Sequence, residues 1–273
     1  MVRALLIRGM LAGALAGLLA SGFAWAFGEP QVDLAIDFEQ HLRAVAGEAP
    51  EPELVSRAVQ STAGLLTGIL LYGSALGGIF SLVFSYAYGR IGPLSPRATA
   101  AILAAIGFAA LILVPQLKYP ANPPSVGEPE TIATRTALYF TIIMLSAITA
   151  IAAISSARQL ARRLGAWNGA MIGGAAYLVV ITIAMLILPP VGEVPADFPA
   201  TTLWNFRLTS LGIEAILWTA LGLVFGALAE RQLVSASGRR LSAPDRANSG
   251  LGLLRASPPP GRPPQSARRC GMF

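Results

Sequence analysis

Glu214 is an acidic residue inside an apolar segment, the run 208–229. Insertion scales put the cost of an acid at the centre of a membrane helix at about 2.5–3.5 kcal/mol, so such a residue usually faces the bundle interior and marks an ion or substrate path. Arg207 lies two helical turns earlier on the same face, and Ser210 lies between them. Glu214 is therefore predicted either to assist a cargo or to pair structurally with Arg207, Arg135 or a hydroxyl group.

A second polar stripe begins with Arg135 and Tyr139 and continues through hydroxyl residues to Ser156. Residues at these spacings share one face of a helix. The stripe either lines a polar path together with Glu214 or holds neighbouring helices together by hydrogen bonds.

His41 is the single histidine of the chain, and it follows Asp33, Asp37 and Glu39 in an acidic stretch. Imidazole and carboxylate groups are suitable ligands for a divalent cation such as Co²⁺ or Ni²⁺. These four residues are a candidate metal-collecting site, and the alternative interpretation is a solvated acidic surface.

Motifs for catalysis are missing from the sequence, including a His-Glu-x-x-His zinc motif and a nucleotide-binding loop. The single cysteine, Cys270, gives neither a disulfide framework nor a cysteine metal site. We therefore expect no enzymatic activity and no permanently bound cofactor, and active pumping would need another subunit.

Membrane helices must position these side chains, because the chain is 54% hydrophobic and only 12% charged, with a mean hydropathy of +0.62. A helix needs roughly 20 apolar residues to cross the hydrocarbon core. The sequence predicts an all-α, polytopic transmembrane bundle within a domain at 1–233, with six spans at 4–27, 62–88, 98–117, 136–157, 168–189 and 208–229.

The charge distribution predicts that both ends are cytoplasmic and that the spans form three hairpins. In this orientation 15 of the 20 basic residues lie inside, and the acidic residues gather in outer loops at 28–61, 118–135 and 190–207. The net charge of +6 needs no nucleic-acid partner, because attraction to anionic membrane lipid explains it.

The first span has an alternative interpretation as a cleaved secretory signal ending at Ala24-Trp25-Ala26. Its length and its small residues favour a retained helix, because a disposable segment needs no packing face. The small residues recur every four positions at Gly9, Gly13, Gly17 and Ser21. Three glycine pairs are also predicted to pack closely: Gly64 with Gly68, Gly169 with Gly173, and Gly222 with Gly226.

Two outer loops resemble each other, because Pro-Pro followed by Val-Gly-Glu precedes Arg135 in one and Arg207 in the other. This predicts a duplicated hairpin, with Arg57 as a third, weaker counterpart. Both guanidinium groups are expected to bind carboxylates or loop carbonyls near the outer face. From residue 234 the composition changes to Arg, Ser, Gly and Pro, which predicts a disordered, basic cytoplasmic tail at 234–273.

Both outer loops, the opening segment and the second span resemble the CbtA family of predicted cobalt transporter subunits, over about residues 1–233. The similar stretches are YPANPP at 119–124 with Val126-Gly127 and Arg135-Thr136, FPA at 198–200 with Leu203-Trp204 and Phe206-Arg207, RGMLAG at 8–13, and Tyr72-Gly73 with GGIF at 77–80.

The resemblance implies a multi-pass protein of the bacterial cytoplasmic (inner) membrane that works with a small companion subunit, CbtB. The companion's short histidine-rich segment would supply metal ligands that this chain lacks. The leading hypothesis is a permease subunit for Co²⁺ or a related divalent ion. The alternatives are a non-transporting membrane scaffold or assembly protein, and a permease for a small organic solute related to cobalamin.

Overall fold

The computed structural model describes residues 2–47 and 54–241, the last eight of them by backbone alone. These residues form helices and short connections, with no strand among them. Six helices are long and apolar enough to cross a membrane, which confirms the predicted fold class; the orientation stays a prediction. They are α1 (Val2–Ala46), α2 (Arg57–Ala87), α3 (Pro96–Lys118), α4 (Pro129–Leu164), α5 (Ala166–Ile187) and α6 (Ala200–Leu241).

Helix α1 extends well beyond the predicted first span. The sequence predicts an outer loop at 28–61, but the chain stays helical to Ala46. This extension is amphipathic: Ala35 is fully buried, whereas Glu39 and Arg43 form an ion pair of 2.8 Å one turn apart on its surface. The extension has no long apolar run in its sequence, because its stability comes from one packed face.

Prolines inside α1 and α3 are accommodated by wider helical turns. Pro30 and Pro115 lack the backbone N–H, and their rings would clash with the carbonyl four residues earlier in a regular α-helix. A five-residue π-helical turn precedes each proline, at Ala24–Gly28 and Ala109–Leu113. Both helices therefore continue past their prolines.

Helices α1 and α2 pack backbone against backbone along a seam of glycines. A Cβ atom on Gly13 would lie 2.0 Å from the carbonyl oxygen of Gly73, and one on Gly77 would lie 2.1 Å from that of Gly9. The predicted face of small residues on α1 is confirmed, because all of its members are buried: Gly9, Gly13, Gly17 and Ser21.

The three predicted glycine pairs have different outcomes. Gly169 and Gly173 lie against Ala157 of α4, and Gly222 and Gly226 lie against α3, so these two pairs pack as predicted. The prediction for Gly64 and Gly68 is wrong. Nothing lies within 4 Å of a Cβ atom on Gly68, and a Cβ atom on Gly64 would meet only the carbonyl oxygen of Val59, in its own helix.

Helix α6 packs against α1, α2 and α3. Phe225 is fully buried and makes edge-to-face contacts with Phe80 and Phe84, with ring centroids 5.5 and 5.0 Å apart. Trp218 fills a notch at Gly107 of α3, where a Cβ atom would lie 2.2 Å from the indole ring. These contacts hold the face of α6 that carries Glu214 inside the bundle.

Helices α4 and α5 form a hairpin that turns at Gly165, whose φ of 85° favours glycine. Ser146 of α4 and Tyr177 of α5 are joined by a hydrogen bond of 2.8 Å. For Ser146, the hydrogen-bonding interpretation of the polar stripe is therefore the correct one. The apolar contacts around Ile142 and Ile181 pack this hairpin against α3.

The compact helical unit ends at Gln232. Residues 234–241 are helical to Leu241, although the sequence predicts a disordered tail from residue 234. The rest of the predicted disordered tail, 242–273, lies outside the described residues.

Candidate functional site

Two connecting segments meet at the end of the bundle where α1, α3 and α5 finish, which is the predicted outer end. We call residues 119–128 loop 1 and residues 188–199 loop 2. Val126 of loop 1 and Phe198 of loop 2 pack together against Ala35 of the α1 extension. Phe38, on the same extension, contacts the Phe198 ring edge-on at 5.0 Å. The extension of α1 therefore supports both loops.

Glu193 joins the two loops through its carboxylate. It accepts hydrogen bonds from the backbone N–H of Glu128 at 2.9 Å and the hydroxyl of Thr131 at 2.8 Å, and it lies 3.3 Å from Nε of Arg135. These donors, with the Glu128 N–H first, stabilise the ionised form and lower the pKa of Glu193 below its usual value. The loops are also joined by the Tyr119 hydroxyl, which donates to the carbonyl of Pro189 at 2.9 Å.

Arg135 and Arg207 both bind loop carbonyls, as the sequence predicts. Arg135 donates to the carbonyl of Glu128 at 3.1 Å. Arg207 donates to the carbonyl of Ala121 at 3.3 Å and to Oδ1 of Asn122 at 2.8 Å. Their contacts are not equivalent, because each arginine binds loop 1 although Arg207 follows loop 2. Loop 1 is thus held by both predicted repeats.

The two arginines line one cavity of about 460 Å³, which we call the outer cavity. Tyr139, Asn122 and Gln116 supply further polar groups to its wall. Among the described residues that line it, Arg135 and Arg207 are the charged ones, and no carboxylate is included. The structure therefore brings together three of the predicted path residues, Arg135, Arg207 and Tyr139, around one cavity in which Arg135 is paired with Glu193 and Arg207 is held by loop 1.

Glu214 lies deeper in the bundle, two turns along α6 from Arg207. Tyr139 of α4 and Tyr72 of α2 are within electrostatic range of its carboxyl group, and the indole N–H of Trp218 lies near it. Glu214 Oε2 and Trp218 Nε1 are nevertheless buried without a hydrogen-bond partner. Within the described residues no ion pair joins Glu214 to an arginine, so the predicted arginine clasp is absent.

Tyr139 lines the outer cavity and also lies within electrostatic range of Glu214. Ser210, the remaining path candidate, is half-buried and does not line the cavity. The carboxyl of Glu214, with its orphaned oxygen, is chemically able to accept a cation or a hydrogen-bond donor that passes the tyrosine.

The candidate metal ligands lie on the α1 extension. Asp33 accepts a hydrogen bond of 2.9 Å from Arg57, which also pairs with Glu29, and Glu39 pairs with Arg43. No group of three histidine, cysteine or acidic side chains within residues 2–47 and 54–241 is arranged to hold a metal ion. A metal site at His41, Glu39, Asp37 and Asp33 stays a prediction from the sequence alone.

Three residues of this region were not among the candidate site residues predicted from the sequence: Tyr72, Trp218 and Glu193. Trp218 shares a helical face with Glu214 in the sequence, whereas the approach of Tyr72 to Glu214 follows only from the packing of α2 against α6. Glu193 did carry a signal, because it aligns with Glu128 in the two similar loops. The structure shows that these aligned residues contact each other.

A family model described as "Probable cobalt transporter subunit (CbtA)" matches residues 2–230. No curated protein and no solved structure matches the chain.

Proposed function

The chain belongs to the CbtA family, and from this premise we propose that it is the membrane permease subunit for cobalt or a related divalent metal ion. It acts with a small companion subunit in the bacterial inner membrane, and its role is transport, not catalysis. The family description names a subunit, which supports the need for a partner.

The single observation that carries the proposal is the state of Glu214. Its oxygen Oε2 is buried in the bundle without a hydrogen-bond partner, close to two tyrosines and a tryptophan. An unpaired carboxyl group in such a place is costly and needs a compensating function. A divalent cation passing through the bundle would provide the missing partner.

The scaffold hypothesis treats Arg207 and Glu214 as structural clasps, and its support is weaker at Glu214 than at Arg207. Arg207 instead binds Ala121 and Asn122, and Arg135 binds Glu128 and lies beside Glu193. Both arginines stabilise the loops. Glu214 is left for another role.

The companion subunit supplies ligands that residues 2–47 and 54–241 of this chain do not gather. One carboxyl group cannot fill the coordination shell of a transition metal, which requires four to six donors. A histidine-bearing companion placed near Tyr139 and Glu214 would complete the shell. A cation entering along the membrane potential gains about 2.3 kcal/mol per charge per 100 mV, so the pair needs no nucleotide site of its own.

Uptake of radiolabelled cobalt by cells that lack their own cobalt importer tests this proposal. Cells with both subunits should accumulate cobalt several-fold above cells with the empty vector, and each subunit alone should give less. Equal accumulation in all strains, with the chain present in the membrane, would contradict the proposal.

A further inference from the structure

The outer cavity has the wrong charge for a free metal cation. Two guanidinium groups line it and no carboxylate does, among the described residues. Glu193 is not part of the lining, but it pairs with Arg135 at 3.3 Å and also accepts hydrogen bonds from Glu128 and Thr131. Arg207 has no such ion pair among the described residues, so its guanidinium would repel a cation that entered this cavity alone.

The cavity also has room for more than a hydrated metal ion. An ion with six waters fills about 180 Å³, at about 30 Å³ per water, whereas the cavity measures about 460 Å³. Binding pockets for small organic molecules have volumes of roughly 300–1,000 Å³. The chamber thus has the size of a small organic ligand.

Donor groups in the cavity remain free to bind such a ligand. A guanidinium has five N–H groups, and Arg207 uses two of its own, towards Ala121 and Asn122. These contacts fix the group in place without neutralising it. A fixed guanidinium with free N–H groups is the side chain best suited to bind a carboxylate through two hydrogen bonds.

From these observations we infer that the outer cavity binds an anionic, carboxylate-bearing chelate of the metal, held by Arg207 and Arg135. The chelator's carboxylates contact the arginines, and the metal lies on the side of the cavity nearer to Tyr139 and Glu214. Glu214 is about 10 Å from Arg207 along α6. This inference rests on the proposed function for the identity of the metal. The anion site itself rests on the cavity alone.

Binding of citrate to the purified full chain tests the inference. Citrate is a tricarboxylate whose complex with Co²⁺ keeps one negative charge. Titrations are made in nanodiscs of neutral phosphatidylcholine with citrate, with its Co²⁺ complex and with CoCl₂. We expect citrate and the complex to bind, and Arg207→Gln to weaken both at least tenfold. Arg90→Gln is the matched control, because Arg90 contacts Tyr86 in its own turn and does not line the cavity.

A second variant distinguishes the loss of a binding group from misfolding of the loops. Thr136→Glu keeps both arginines and adds a carboxylate to the cavity wall, where Thr136 lies. It should also weaken citrate binding at least tenfold while the melting temperature stays near that of the wild type. Citrate binding that is absent, or unchanged in Arg207→Gln and Thr136→Glu, would overturn the inference.

Three further outcomes separate the possible causes of failure. If anionic phosphatidylglycerol in the nanodiscs displaces citrate competitively, the cavity belongs to a lipid phosphate and the chelate inference is wrong. If citrate binds as expected but cells with both subunits take up no cobalt, the anion site stands and the proposed function fails. If cobalt uptake is normal while citrate does not bind, the proposed function stands and this inference fails.

Discussion

At the level of single residues, Glu214 and Glu230 provide a direct comparison, because both lie on α6 and, within the described residues, only Glu230 forms an ion pair. Glu230 is paired with Arg97 at 2.5 Å, whereas Glu214 has an oxygen with no partner. Glu214→Gln keeps the shape of the side chain and removes its charge. We expect it to reduce cobalt uptake at least tenfold without changing the amount of protein in the membrane, as measured by uptake and quantitative immunoblotting.

Glu230→Gln is the control, and it should retain most of the uptake. If Glu214→Gln lowered protein abundance and left uptake per molecule unchanged, Glu214 would have a structural role. Normal uptake together with normal abundance would exclude a transport role.

Glu193 should make the outer loops sensitive to acid. Its folded-state pKa is lowered by the Glu128 N–H, the Thr131 hydroxyl and Arg135. A carboxyl group with a lowered pKa stabilises the folded state above its unfolded pKa of about 4.3, and this stabilisation is lost as the pH falls through the folded pKa. The melting temperature of Glu193→Gln should therefore lie below that of the wild type at pH 7, and the difference should disappear at low pH. A difference that stays constant from pH 7 to pH 3 would show that the charge is not responsible.

At the level of elements, the glycine seam between α1 and α2 allows little change. Gly13→Ala would place a methyl group 2.0 Å from the carbonyl oxygen of Gly73, and only a movement of the whole helix can relieve this overlap. Overpacking of this kind costs about 1–3 kcal/mol. The same change at Gly22 meets nothing within 4 Å, and alanine favours helix by about 1 kcal/mol over glycine. Thermal unfolding should show a lower melting temperature for Gly13→Ala and no decrease for Gly22→Ala. Equal melting temperatures for the two variants would contradict the close packing of α1 against α2.

Loop 1 depends on a glycine that loop 2 does not need. Gly127 has a φ of 117°, and a Cβ atom on it would lie 2.0 Å from Nη1 of Arg135. Gly192 is its counterpart in loop 2, and nothing lies within 4 Å of a Cβ atom there. Gly127→Ala should lower stability by about 1–3 kcal/mol from backbone strain, whereas Gly192→Ala should have a small effect. Unfolding of the purified variants measures both, and equal losses would contradict this account of loop 1.

The six spans could be predicted from the sequence because apolar runs of membrane length have few alternatives. The α1 extension could not, because its helix is stabilised by Ala35 and Phe38 packing against loops that are distant in the chain. The arginines of the candidate site were found from their place in two similar loops. Their shared cavity was not, because loop 1 binds both Arg135 and Arg207, and this follows only from the packing of the two hairpins.

For the whole molecule, the proposed path leads from the outer cavity past Tyr139 to Glu214, which lies about two turns along α6 from Arg207. The α1 extension supports the two loops at the proposed entrance, and the packing of α6 against α1, α2 and α3 places the carboxyl group. We therefore expect a transported metal ion to pass Glu214 inside the protein.

Cobalt flux into liposomes that contain the purified chain and its companion tests this claim most directly. A cobalt-quenched dye inside the vesicles reports entry, with a membrane potential negative inside. We predict quenching by the wild-type pair at least tenfold faster than in protein-free vesicles, and quenching near the protein-free rate for the pair carrying Glu214→Gln. Equal rates for the wild type, Glu214→Gln and empty vesicles, with both subunits present in the membrane, would contradict the account.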